Sequence, residues 1–321
     1  MANIAQQRAV HVDRHLTNVA LDYTPRGFIA DQIFPVVGVP NETGSYVIFD
    51  QADMFRQEDT KRSRLADANT IAYSVSSAGY VCKNYALRDG LSLEDQLNSD
   101  DAYMLKREEG MVRRLTTKLM LDWDVRVANQ VTSTSNVGTS SAVTSAWTDY
   151  TNSDPLGDLW TMIDNIYDAT GYRPNKAVFG ESAWRNFSRN AEVIGKVNQA
   201  GFSGGALPAT QVQAAQLLEL DSILVGRGYQ NTAAEGQPLS LSQIWGDNVL
   251  IYFAPDVAAI DDPSFAYSFR WNVPGLPNMA VERLPYNAYQ KANYIEAGYY
   301  QDEKITGSSL GGLITAVTSS T

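Results

Sequence analysis

Hydrophobic and polar positions repeat with two different periods along this chain, and the changes of period divide it. In "SYVIFDQADMF" (45–55) and "TIAYSVSSAGYVCKNYAL" (70–87), aromatic and β-branched residues suit strands, and the polar "RQEDTKRSRLADAN" lies between them. This predicts a long hairpin with a charged tip. Such a hairpin has too little surface to bury against itself and needs a neighbour to pack on. Beyond the helix-start residues Ser99, Asp100 and Asp101 the period becomes helical. Met104, Met111, Leu115 and Leu119 are spaced seven and four apart, with Lys106, Arg107, Arg113 and Arg114 largely off that stripe. About 30 residues at ~1.5 Å each predict a rod of roughly 45 Å. The Ser/Thr-rich "TSTSNVGTSSAVTSA" marks a boundary near residues 131 to 146.

From Asp154 the elements alternate. "DPLGDLWTMIDNIYDATG" reads as a helix with Pro155 in its first turn and Gly171 past its end. "NKAVFG" reads as a strand, "ESAWRNFSRNAEVIGKV" and "PATQVQAAQLLEL" as helices, and "SILVGRGYQ" and "NVLIYFAPD" as strands, which together make a compact α/β layer arrangement. The closing stretches "FAYSFRW", "NMAVERLPY", "YIEAGYYQDEKI" and "GGLITAV" are again strands, some expected to return beside the long helix. Residues 1 to about 45 show little periodicity, and Pro35 and Pro40 enforce an extended path there.

Composition then narrows the chemistry. With 321 residues, 44% hydrophobic and 10% aromatic, the chain can fill real cores. A single cysteine, Cys82, cannot close an intrachain disulfide, and no Cys/His cluster offers zinc spacing. No signal-like start and no apolar run approaching ~18 residues occurs, so the expectation is a cytosolic, unanchored product. A net charge of -11 argues against tight, sequence-specific nucleic-acid binding and leaves weak contact open.

Candidate active-site motifs are incomplete. His11 and His15 in "HVDRH" would share a face of a helix, but no general-base glutamate lies between them, and a solvated or interface helix is the simpler reading. "AVFGESAW" (177–184) resembles a nucleophile elbow, yet the second glycine of G-x-S-x-G is Trp184 and both histidines precede Ser182. The elbow reading therefore gives way to a strand followed by a helix start. "GRGYQN" from Gly226 lacks the sixth-position glycine of a dinucleotide fingerprint, and the sequons at Asn41 and Asn186 carry no weight without a signal peptide. No catalytic, cofactor or metal residue is assigned.

The order of arm, hairpin, long helix, α/β block and closing strands resembles the major capsid proteins of tailed bacteriophages, with the HK97-like fold. The resemblance rests on "FIADQIFPVVGVPNETGSYVIFDQADMFR", "NSDDAYMLKREEGMVRRLTTKLMLDWD" and "WTDYTNSDPLGDLWTMIDNIYDATGYRPNKAVFGESAWRNF". It implies an α+β fold with an N-terminal arm (1–45), an extended loop (46–88), a peripheral domain with a spine helix (89–146), an axial domain (147–263) and closing strands of the peripheral domain (264–321). It further implies a non-enzymatic subunit that self-assembles as hexamers and pentamers into an icosahedral head around double-stranded DNA. Assembly would take place in the host bacterial cytoplasm and the product would reside in the virion. Implied partners are other copies of the chain, a portal protein, a separate scaffolding protein, a decoration protein and weakly held packaged DNA, with no membrane.

For contacts between subunits the resemblance directs attention to Phe34, Phe49, Phe55, Arg56, Lys61, Arg62, Arg64, Arg113, Arg114, Glu282 and Arg283. The basic tip "KRSR" would meet an acidic neighbour. Two other readings are an encapsulin-like bacterial compartment and, far behind, a serine hydrolase.

Overall fold

Two sheets and one long helix organise the chain. The computed structural model describes residues 11–49 except 24 and 26, then 75–98, 100–199, 208–255, 262–273 and 279–318, with isolated positions between 55 and 70. The first part holds β1 (His11–Val12), α1 (Arg14–Asp22), α2 (Ala30–Ile33), β2 (Val36–Val39) and the hairpin strands β3 (Thr43–Phe49) and β4 (Val75–Val81). β5 (Lys83–Ser92), α3 (Leu93–Leu97) and the 31-residue α4 (Asp101–Val131) follow. The α/β block comprises β6 (Thr139–Ala142), α5 (Pro155–Thr170), β7 (Lys176–Gly180), α6 (Glu181–Arg189), α7 (Ala191–Gln199), α8 (Gln211–Leu218) and β8 (Ser222–Gly226), then a small hairpin of β9 (Tyr229–Asn231) and β10 (Leu241–Gln243), and β11 (Val249–Tyr252). The chain closes with β12 (Ala266–Trp271), β13 (Ala280–Arg283), β14 (Ala292–Ile305) and β15 (Gly311–Thr315).

The block's sheet has the order β6-β15-β11-β7-β8. Its strands β15, β11 and β7 are buried on both faces and sort by the period of two, while the edge strand β6 is largely exposed. Ala177, Phe179, Val249, Ile251 and Ile314 join one core with Leu159, Met162, Ile166, Trp184 and Phe187 from the helices. Val178, Leu250, Tyr252 and Leu313 face the other way and pack with Trp123, Val127 and Val131 of α4 and with Ile33 and Phe34. Local signals set the helix ends. Asp154 accepts from Gly157 N at 2.7 Å ahead of Pro155, and Gly171, with φ 72°, closes α5. Thr210 and Gln213 form a capping box on α8. The single helix expected over 181–197 is two, because Asn190 turns extended, donates to Ser153 Oγ at 3.0 Å and caps Glu192 N at 2.9 Å.

The second sheet has the order β1-β13-β14-β12-β2, with β5 also paired to β14. Leu91, Val281, Ile295, Ala297 and Tyr299 of its strands pack on Met111, Leu115 and Leu119, so the closing strands do return to the long helix. One of them does not. β15 pairs with β11 and β6 in the α/β sheet, where Leu313 and Ile314 each meet a different core. Expecting residues 264–321 to lie together with the long helix is corrected at this strand, and β6 places 139–142 in the α/β sheet as well. A central strand supported on both faces is the better place for "GGLIT".

Among the described residues the two strands of the predicted hairpin pair, and the second run leaves that pairing after Val81. β3 and β4 form a separate two-stranded sheet over seven registered pairs, Thr43↔Val81 to Phe49↔Val75. At Cys82 the second run changes sheet, and β5 pairs with β14 over ten residues. Cys82 is buried with Tyr46, Tyr80 and Phe269, and both tyrosine rings stack on Phe269 at 5.1 and 4.9 Å, fixing the root of the hairpin. The expectation of one helix across His11 and His15 is also corrected. Asp13 ends the pairing of β1 with β13 and caps α1 through Leu16 N at 3.0 Å, so the two histidines lie on different elements.

Candidate functional site

"AVFGESAW" folds as β7 running into α6. Gly180 lies against the carbonyl of Gly246, so closely that a Cβ would overlap it. Ser182 Oγ donates to that carbonyl at 2.9 Å, and Glu181 pairs with Arg227 at 2.9 Å. Trp184 packs on Phe179 and Phe187, with ring centroids 5.6 and 5.8 Å away. The serine proton is directed at a carbonyl rather than a base, and His15, the one described histidine side chain, is engaged with Glu109 at 3.0 Å. The stretch fastens the strand end to the 246 loop.

Three parts of the chain converge on Asp124. Its Oδ1 accepts from the backbone N–H of Ile29 and Ala30, at 3.0 and 3.1 Å, and its Oδ2 from Trp245 Nε1 at 3.0 Å. One carboxylate therefore caps α2, anchors the arm and ties α4 to the α/β block. The group is fully buried, and that burial pushes its pKa up to about 6 against the pull of the three donors, with neighbouring Asp31 adding to the rise.

A second buried polar group joins α4 to the closing strands. Arg126 donates to Glu303 at 2.8 Å and lies 3.7 Å over the Tyr85 ring. Gln301 donates to Glu303 at 2.9 Å and accepts from Arg270 Nε at 3.0 Å, while the Arg270 guanidinium sits between the rings of Trp123 and Tyr299. At the outer end Arg283 bonds Asp13 at 2.7 Å and both oxygens of Glu108 at 2.8 and 2.7 Å, clamping β1, β13 and α4 together. The readable signal for these residues is a charge on an apolar stripe. Asp124 follows Met120 by four and precedes Val127 by three, and Arg270 interrupts the buried run "FAYSFRW".

The residues singled out for contacts between copies fall in different places. Phe34 has no exposed surface, packing edge-on to Phe265 in the core beneath the α/β sheet, and has nothing to offer a neighbour. Arg283 is spent on the intramolecular clamp. Arg114 pairs with Asp89 at 3.1 Å, while Arg113 is exposed on α4. Phe55 is 59% exposed, with its ring 5.8 Å from Tyr172. Lys61, Arg62 and Arg64 are exposed, and Glu282 is half-buried on the outer face of β13. Glu282 lines a shallow groove there with Asn84, Ala86, Glu296, Gly298 and Tyr300. Arg56 and the Phe49 side chain lie outside the described residues.

These clasps join α4, the arm, the α/β block and the closing strands, and the described residues include no group of His, Cys, Asp and Glu that could hold a metal. No helix among the described residues is long and apolar enough to cross a membrane. The family model for phage major capsid protein E matches residues 110–255, from α4 through β11. The major capsid protein of Pseudomonas phage JBD67 is 24% identical over 302 residues, covering 94% of this chain and 95% of that one. The corresponding protein of Burkholderia phage BcepMu is 26% identical over 269 residues, 81% and 83% of the two chains. Among solved structures, a phage-related protein from Bordetella bronchiseptica RB50 superposes with a TM-score of 0.75 at 21% identity over 97% of this chain and 99% of that one. The capsid of cyanophage P-SCSP1u gives 0.58 at 11% over 93% and 90%. A virus-like particle from Pyrococcus furiosus shares the fold at 0.54 and 10%, over 93% and 95%, but the sequence relatives are phage proteins. Over nearly its whole length the chain is similar to phage major capsid proteins, and it shares the HK97-like fold of the solved capsids.

Proposed function

We propose that copies of this subunit assemble as hexamers and pentamers into an icosahedral head that encloses double-stranded DNA, built in the host cytoplasm. The observation that carries this is the β3–β4 sheet. It pairs with no other described strand; Tyr46 and Tyr80 hold its root, and Phe55 touches Tyr172 while staying 59% exposed, so its outer part gains further burial by lying over an adjacent subunit. Its tip cations Lys61, Arg62 and Arg64 face an acidic partner in that arrangement, because every copy carries a net -11. Phe55, Arg113, Arg114 and Glu282 are the remaining exposed or half-exposed candidates for such contacts. The α/β block is the axial unit that meets its copies at the capsomer centre, and the sheet with α4 is the peripheral unit. A portal, a separate scaffolding protein and a decoration protein complete the proposed partners. Subunit contacts, rather than chemistry, are the protein's work in this reading.

The test is negative-stain electron microscopy of the chain expressed alone and with any small helical protein encoded upstream. Closed shells or hexamer rings are the expected result. Ring-free soluble monomers under both conditions would overturn the proposal.

A further inference from the structure

The first half of α4 carries a broad exposed band of cations. Lys106 and Arg113, seven residues apart, form one row, and Arg107, Arg114 and Lys118, at spacings of seven and four, form the next. Arg107 is taken by Asp95 and Arg114 by Asp89. Among the described residues Lys106, Arg113 and Lys118 have no ion-pair partner. The acids nearby are occupied, Glu108 with Arg283 and Glu109 with His15. The exposed acid Asp22 lies at the end of α1, which packs beside this stretch. Gly110 sits between Lys106 and Arg113 on the same face, and an added Cβ there would meet nothing within 4 Å. A mid-helix glycine costs roughly 0.5–1 kcal/mol against alanine, and the fold supplies no steric reason for it. It leaves the helix backbone open to close approach from outside.

We propose that this band is where the shell contacts the phosphate backbone of packaged double-stranded DNA, which makes this face of α4 the lumenal one. The inference rests on the capsid reading and adds the surface and the ligand chemistry. Three unpartnered cations spread over about 18 Å of helix on a chain of net charge -11 give weak, sequence-independent contact, and many copies sum it without gripping the DNA at any one site.

The test measures fluorescence anisotropy of a labelled 30-base-pair duplex with the full-length chain over a salt series. The variant is Lys106→Gln/Arg113→Gln/Lys118→Gln. A charge-matched control, Arg185→Gln/Arg189→Gln/Lys196→Gln, changes helices on the opposite side of the α/β sheet. The band variant should lose affinity about tenfold at ~50 mM salt, with a salt slope shallower by about 2.7, at ~0.9 per phosphate contact. The control should behave as the parent. Equal losses in both variants, or no loss in the band variant, overturn the proposal. So does a band variant that keeps the duplex but loses polyglutamate, which would make the band a docking face for an acidic protein. Electron microscopy keeps the two readings apart, since subunits that bind no duplex while unassembled and yet go on to form shells sink this inference and leave the capsid assignment standing.

Discussion

At Asp124 one buried carboxylate holds three segments far apart in sequence, and its titration should be visible in stability. Its pKa in the fold, about 6, stands above the ordinary 3.8. The folded chain therefore binds a proton here more readily than the unfolded one, so the contribution is complete below the unfolded value and is lost as pH rises through about 6. Stability measured by denaturant should rise from pH 8 to pH 5 by about 1.4 kcal/mol from this group, because by pH 5 only about one pH unit below the folded pKa has been crossed. Asp124→Asn should flatten that rise, and an unchanged slope in the variant would remove Asp124 as its source. Asp13 acts in the opposite sense and lower in pH. Burial alone would raise its pKa, but the Leu16 amide and Arg283 hold it below 3.8. Its contribution is present above that value and is lost on acidification below it. Ser182 makes a plainer case. Removing its hydroxyl leaves the Gly246 carbonyl short of one donor, so Ser182→Ala should cost about 1 kcal/mol in chemical unfolding and leave shell formation untouched.

Among the elements, the hairpin's reach and its anchorage are separable. Tyr46 and Tyr80 on Phe269 fix the root inside the molecule, whereas the contacts proposed for a neighbour fall in the segment from 50 to 74 between the two strands. Replacing that segment with a tight two-residue turn should leave the thermal midpoint within a few degrees of the parent while abolishing shells under the microscope. A variant that still closes into shells would place the inter-subunit hold elsewhere. This hairpin, the long helix and the α/β alternation were legible because each has a strong period. Met111, Leu115 and Leu119 lie buried on the helix as their spacing requires. What period alone could not carry was destination. "GGLIT" reads as a strand wherever it goes, and only the two-sided burial of Leu313 and Ile314 sends it to the α/β sheet. Likewise nothing local marks Cys82 as the point where one extended run leaves the hairpin for β14. The clasps at Asp124 and Arg270 were missed because a charge on an apolar stripe looks like an interruption until its distant partners are known.

For the whole molecule, charge opposes assembly and local contacts favour it, and ionic strength weighs one against the other. Each subunit has a net -11, and bringing copies within a Debye length, about 10 Å at 0.1 M salt, sets these charges against one another. The favourable electrostatic contribution in the proposed contact is the hairpin tip, where Lys61, Arg62 and Arg64 meet a neighbour. Exposed pairs of this kind contribute about 0–1 kcal/mol each and are screened by the same salt. Three such pairs are outweighed by eleven uncompensated charges per copy, and the apolar burial that closes the shell does not weaken with salt. Assembly followed by light scattering and sedimentation should therefore strengthen between ~0.05 and ~0.5 M sodium chloride. Neutralising the tip with Lys61→Gln/Arg62→Gln/Arg64→Gln takes the charge to -14 and should steepen that dependence, shifting the onset of assembly to higher salt. Shells that instead dissolve as salt is raised would mean that ion pairs across the interface, rather than buried apolar surface, hold the tiles together.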